Sequence, residues 1–264
     1  MKLAIFIMSH GLDQTRRNSI RQTWLNDVPK DIDVKFFVGD INCSDAINLP
    51  CLDDYQNCYA KQFEMIKQAT EYDYVFFCDD DTYIVIDRLL KSDFEQNDYQ
   101  GFPLQIEDEV VMAQGGAGFW LSNKAIKLIL EIGIGDIKTI YSDRLVARIL
   151  HGKIPLKGDY RFNMGKYCNN VGFCNLTPNL SNQYITAHYV KPDKFKEIYE
   201  HFKLGKEISP NGYSMNFFGF NIDICEFEGK WIFISRDLKL TNGVFEMAHE
   251  AELSAFNWCK SRLL

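Results

Sequence analysis

Three consecutive carboxylates, Asp79, Asp80 and Asp81, follow the apolar run Tyr74-Val-Phe-Phe-Cys78 without a spacer. A run of that kind reads as a buried strand, and open α/β sheets bind their ligands at the carboxyl ends of such strands. Two carboxylates one residue apart at a strand end can aim at one point. Oxygen ligands of this type suit Mg2+ or Mn2+, which in turn hold a diphosphate. The bland alternative is a solvated acidic turn. Adjacent negative charges behind an apolar strand repel one another, so a cation among them is the favoured reading. Phosphohydrolases also place aspartates at strand ends, and the triplet alone does not separate the two chemistries.

The charge of the whole chain makes that cation more necessary. Its 264 residues carry 29 Lys and Arg against 36 Asp and Glu, a net charge of −7. A nucleic-acid binder has a basic footprint, so that class is excluded. An acidic protein that handles an anionic phosphate needs a positive ion. Composition is that of a globular chain, 46% apolar and 25% charged, long enough for one sizeable α/β domain with a small appendage. Leu3 to Met8 is too short for a signal sequence, and no stretch of about 18 apolar residues encodes a membrane span. A soluble, cytoplasmic protein is expected from this and from Met1, the alternative being a trimmed luminal domain. No Cys-x-x-Cys pair occurs among the eight cysteines, and free buried thiols are expected; Cys168 and Cys174 could bridge only in an oxidising lumen. Asn42, Asn175 and Asn179 begin glycosylation sequons that a cytosolic chain leaves unused.

Elements that position the triplet follow from periodicity. Leu3 to Met8, Val34 to Val38, Tyr74 to Phe77 and Val110 to Ala113 read as strands. Tyr59, Phe63, Ile66 and Ala69 form one helical face, with Lys61, Glu64 and Lys67 off it. Ser122 and Ser142 stand where helix N-caps belong, which places Asp143 in a first helical turn, and Pro192 opens a further helix. Strands alternating with helices predict a mainly parallel sheet flanked by helices. Beyond Gly205 the pattern turns β-rich. A hairpin is expected around Gly229, a second turn at Asn242-Gly243 and a closing helix from about Glu246, so residues 1–205 read as the main domain and 206–264 as a β-rich appendage.

Four ordered blocks resemble the fringe-like β1,3-glycosyltransferases, glycosyltransferase family 31. They are Arg17 with Ile20-Arg21-Gln-Thr23-Trp24, then Phe76-Phe-Cys-Asp-Asp-Asp-Thr-Tyr83, then Gly115-Gly-Ala-Gly-Phe-Trp-Leu-Ser122, and His188-Tyr-Val-Lys191-Pro192. Order and rough spacing match over residues 1–205. The resemblance implies a GT-A fold, Rossmann-like, with a UDP-sugar donor, Mn2+ (or Mg2+) dependence and inversion at the anomeric carbon. The acceptor would be a hydroxyl of a glycan or glycoprotein, and the usual product a β1,3 linkage.

Carried over position by position, the resemblance implies Asp81 as direct metal ligand, with Asp79 and Asp80 near the ribose, the sugar or metal-bound waters, and His188 as a further ligand. Lys191 could meet a phosphate. Gly115, Gly116 and Gly118, with Ala117 between them, are expected between a strand and a helix, with backbone N–H groups free at a helix start for the donor. Ser9, His10 and Arg17 are candidates for base or phosphate contact, Asp40 for the uridine and Lys61 for the donor, although Arg17, Arg21 and Lys61 could equally be solvated surface groups. The family's acidic pair before a valine is Ser142-Asp143-Arg144 here, so only the second acid survives. Asp143 is the candidate base, held ionised by the helix dipole, with Asp136 as the fallback. Two rivals remain: a metal-dependent nucleotide phosphohydrolase, and a carbohydrate-binding protein of the same fold without turnover, which the altered acid block favours.

Overall fold

The computed structural model describes residues 1–107, 110–137, 139–163 and 184–204, and the backbone of four strands between 212 and 245. Its centre is a seven-stranded sheet of order β10-β6-β9-β4-β1-β2-β3. Strands β1 (Leu3–Met8), β2 (Asp33–Val38), β3 (Ile47–Asn48) and β4 (Tyr74–Asp79) run parallel to their neighbours in that order. The expected α/β class, a mainly parallel sheet with helices on both faces, is what the chain forms. Strands β6 (Tyr99–Gly101) and β9 (Phe119–Ser122) had no periodic signal in so few residues, and β9 lies antiparallel between β4 and β6. The short β10 (Lys157–Gly158) closes the edge beside β6.

A continuous apolar run is what a strand covered on both faces requires. In β1, Leu3, Ile5 and Ile7 join one core with Ile20, Trp24, Phe76 and Phe195, while Ala4, Phe6 and Met8 join the other with Phe37, Ile66, Phe77 and Leu121. The first core is covered by α1 (Gln14–Arg21) and the helix Pro192–Leu204, which opens on its proline as expected. The second is covered by α2 (Cys58–Lys67), α4 (Asn123–Ile132) and α5 (Ser142–Leu150). Each large apolar side chain buried this way stabilises by about 1.5–3 kcal/mol relative to exposure. Ser122 caps α4 as expected, its hydroxyl accepting from the Ala125 N–H at 3.2 Å.

Five expectations are corrected. Strand β8 (Val111–Ala113) exists but pairs with β7 (Pro103–Gln105) in a separate two-stranded sheet, so it is not part of the parallel core. Ser142 is the first residue of α5; Tyr141 holds the cap position, and no side chain caps the helix. Lys61 is not off the buried face of α2 but on it, with Gln62, Met65 and Ile66. The segment Gly115 to Gly118 connects two strands, β8 and β9, and is not followed by a helix start. Asn242 and Gly243 lie inside β16 (Leu240–Phe245), not in a turn.

Strands β13 (Gly212–Phe217), β14 (Phe220–Phe227), β15 (Lys230–Ser235) and β16 form an antiparallel meander, in which β14 and β15 are the expected hairpin. The expected closing helix from Glu246, the Cys168–Cys174 pair and the sequons at Asn175 and Asn179 lie outside the described residues. Among the described residues Cys43, Cys51, Cys58 and Cys78 are free, and only Cys78 is fully buried. No helix among the described residues is long and apolar enough to cross a membrane.

Candidate active site

A second, three-stranded sheet decides what faces the acidic triplet. Strand β5 (Tyr83–Ile84) follows the triplet, and β12 (Thr186–Ala187) precedes His188; they pair antiparallel with Ala187 opposite Tyr83 and Thr186 opposite Ile84. One residue further out along that register His188 comes to the triplet, and the Val190 N–H donates to the Asp81 carbonyl at 2.9 Å. A sequence separation of more than a hundred residues is thus closed by two short strands.

There, Asp79, Asp81 and His188 each present one ligand atom within 4.8 Å of the others. His188 Nε2 lies 3.2 Å from Asp81 Oδ1 and 3.8 Å from Asp79 Oδ2. Asp81 Oδ1 is buried and has no partner beyond the His188 imidazole. Leaving a buried carboxylate oxygen unsatisfied is costly, and two oxygens with one imidazole nitrogen are a donor set suited to Mn2+ and its neighbours in the series. The residues fit a divalent cation. Gly116 makes room for the imidazole: a β-carbon there would lie 2.0 Å from the His188 ring. The Gly116 carbonyl accepts from the Thr82 hydroxyl at 2.6 Å, which ties the glycine segment to the strand end.

These groups open into a cleft of about 580 Å³. The wall opposite His188 is built at the carboxyl end of β1. Ser9 donates to Asp80 Oδ2 at 2.6 Å, and Arg17 donates to the Ser9 hydroxyl at 2.9 Å and to the carbonyls of His10 and Gly11. Arg17 also forms a two-point pair with Asp45 at 2.9 and 3.0 Å. Far from being solvated, it is 1% exposed. Lys61 is equally enclosed, donating to the Ser9 carbonyl at 2.9 Å and to Asp53, which also accepts from the N–H groups of Gly11 and Gly39. Arg21 is half-buried and pairs with the same Asp45. Trp24 donates its indole N–H to the Thr82 carbonyl, so the first block braces the second.

Asp143 sits 9% exposed beside the glycine segment. Its carboxylate accepts from the Gly115 N–H at 3.0 Å and from the Arg144 N–H at 2.8 Å. Burial raises its pKa, and these two bonds only partly offset that. The expected effect of the helix start is therefore corrected in sign: desolvation outweighs it. Asp79 is also raised, first by loss of water, against the pull of His188, and then by Asp81 and Asp80. For Asp81 burial acts upward, yet His188 and Arg16 outweigh it and the net shift is downward. Arg16 Nη1 lies 3.0 Å from Asp80 and 3.6 Å from Asp81.

Of the residues expected at the site, Ser9, His10, Lys61, Asp79, Asp80, Asp81, Gly115, Gly116, Asp143 and His188 line the cleft. Arg17 lies beneath the β1 loop, and Ala117 is buried, its carbonyl accepting from Thr186. Asp40, Asp136 and Lys191 are exposed and do not line it. Lining residues that sequence reasoning missed include Asp13, Arg16, Asp54, Tyr55, Gln114, Tyr141 and Tyr189. Arg16 and Tyr189 adjoin singled-out residues of the first and fourth blocks, and Tyr141 precedes the acid block; Tyr55 carried no signal.

No family model matches the sequence, so the fringe-like resemblance stands on its four blocks alone. No curated protein matches it either. Solved structures similar in outline include the glycosyltransferase GlyE of Streptococcus pneumoniae, 12% identical with a TM-score of 0.45, covering 75% of this chain and 59% of that one. A second GlyE structure is 14% identical at a TM-score of 0.45 and covers 77% and 64%. The galactosyltransferase LgtC in complex with donor and acceptor sugar analogs is 13% identical at a TM-score of 0.42, covering 74% and 94%. The chain spans less than two thirds of the GlyE chains.

Proposed function

We propose that this chain is a GT-A type, metal-dependent glycosyltransferase that moves a hexose or N-acetylhexosamine from a UDP-sugar to a hydroxyl of a glycan or glycoprotein, with inversion and usually a β1,3 linkage. In this reading residues 1–205 form the transferase domain and 206–264 an appendage. The observation that carries it is the convergence of Asp79, Asp81 and His188, with Asp81 Oδ1 buried and met only by the imidazole, in a cleft that also holds the enclosed carboxylate Asp143.

Asp81, His188 and Asp79 would hold Mn2+ or Mg2+, which supplies charge neutralisation for a diphosphate leaving group. Arg16, whose guanidinium rests on Asp80 and Asp81, would turn to pair with a phosphate oxygen. Ser9, His10, Asp80, Gly115 and Gly116 line the donor side, while Arg17 and Lys61 hold the β1 loop in shape from below. Asp143 takes the proton of the acceptor hydroxyl. Two N–H donors fix its carboxylate, and burial raises its affinity for that proton.

The test is calorimetric titration with Mn2+ and UDP followed by a screen for UDP release across UDP-sugars with glycoside acceptors present. Metal-dependent UDP binding and acceptor-dependent release support the reading. Phosphate release without an acceptor would favour a phosphohydrolase, and no metal-dependent UDP binding ends the proposal.

A further inference from the structure

Two tyrosine rings stand at the mouth of the cleft, where burial does not account for them. Tyr55, in the single turn Tyr55–Asn57 before α2, is 66% exposed, and Tyr141, just before α5, is 40% exposed. Both line the cleft. Their ring centroids are 6.3 Å apart at an interplanar angle of 84°, so the face of one and the edge of the other make a corner. The Arg144 guanidinium lies 4.8 Å from the Tyr141 ring centre and steadies it. A single exposed aromatic is ordinary. A pair already held edge to face over a polar cleft is a ring-binding surface that loses little side-chain freedom on binding.

The surroundings select the ligand. Tyr141 precedes Asp143 by two residues, and the Tyr55 phenol feels the charges of Asp143 and Asp79. A pyranose uses both features, laying an apolar C–H face on an aromatic ring and turning hydroxyls toward carboxylates. A nucleobase uses them less well. In a donor whose diphosphate rests at the Asp79, Asp81 and His188 cluster, that diphosphate separates the base from the reacting carbon, whereas the corner adjoins Asp143.

We propose that Tyr55 and Tyr141 form the acceptor subsite, gripping a terminal pyranose by its apolar face so that one hydroxyl meets Asp143. This rests on the transferase reading above. Saturation-transfer NMR on the full chain, with Mg2+, UDP and the methyl β-glycosides of galactose, glucose and N-acetylglucosamine as probes, tests it. We expect saturation on the C–H protons of at least one glycoside. Y55A and Y141A should each weaken that binding about tenfold, while Y55F and Y141F keep it and all four variants bind UDP like the wild type. Wild-type protein that binds none of the glycosides overturns the proposal. So does a loss of UDP binding in the alanine variants equal to the loss of glycoside, which would give the rings to the nucleotide. A tyrosine-dependent glycoside signal without any UDP binding would leave the subsite standing and remove the transferase reading.

Discussion

The wall of the cleft built by Ser9, Arg17, Asp45, Asp53 and Lys61 and the floor built by Asp79, Asp81 and His188 are both rich in charge, and they are wired in opposite ways. In the wall each buried charge has a buried or half-buried partner: Arg17 has Asp45, and Lys61 has Asp53, 1% exposed. Burial alone would raise Asp53, yet Lys61 and the N–H groups of Gly11 and Gly39 hold it below the ordinary carboxylate range. Asp45 is held lower still, foremost by Arg17. On the floor, Asp79 and Asp81 share one imidazole, Arg16 reaches Asp81 only at 3.6 Å, and Asp79 is raised above the ordinary carboxylate range by loss of water and by Asp81 and Asp80, against the pull of His188. A self-compensated network shapes the backbone; a partly compensated cluster keeps room for a cation's charge.

Five substitutions would break or sharpen that contrast. The largest effect is expected from Asp81→Ala, which should lower metal-dependent turnover about a thousandfold. Because His188 and Arg16 hold Asp81 below the ordinary carboxylate range, the urea midpoint of the metal-free protein should also fall at pH 7, but by less than in Asp53→Ala. A fall as large as that one would put Asp81 with the wall. Asp53→Ala should cost more stability. It leaves Lys61 buried without its carboxylate and should cost about 3 kcal/mol in urea unfolding at pH 7.

That stabilisation has a pH signature. A carboxylate depressed in the folded state contributes fully above its unfolded value near about 3.9 and loses its contribution as pH falls through the folded value. The difference between wild type and Asp53→Ala should therefore shrink below about pH 4, and an undiminished gap at pH 2 would show that packing, not ionisation, is what the mutation removes.

Asp143→Asn should reduce kcat by about a hundredfold or more with donor affinity unchanged. Because burial raises Asp143, the ionised base is present only above that raised value, and the acid limb of kcat/KM should lie above about pH 4, the ordinary aspartate range. The smallest effect is expected from Gly116→Ala. Its new β-carbon displaces the His188 ring and should weaken metal binding by about tenfold or somewhat more, whereas Gly115→Ala, whose nearest contacts lie at 3.4 Å, should bind metal like the wild type. Equal loss in both would show that the segment acts through its flexibility and not through the space it leaves for His188.

Much of the floor was legible from the residues themselves. The runs at β1, β2 and β4 mark strands within a residue or two because a strand covered on both faces must be apolar throughout. The acids that end and follow β4 then fall at its carboxyl end by simple counting. Lys61 was misjudged because helical periodicity sorts residues by polarity, and a lysine whose charge is met by a buried aspartate can occupy the core face. The glycine segment was misplaced because β9, only four residues long, has no period to detect.

What the sequence alone determined was the placement of the acids: an apolar run fixes the strand, and the carboxylates that end it fall at its carboxyl edge, where their mutual repulsion suits a cation. Which imidazole would face them, which lysine and arginine would be spent inside the wall, and which tyrosines would flank the mouth were decided by the tertiary structure. Those pairings join residues from 8 to more than a hundred positions apart. They are set by strand register and packing between elements, and neither is written in any local pattern.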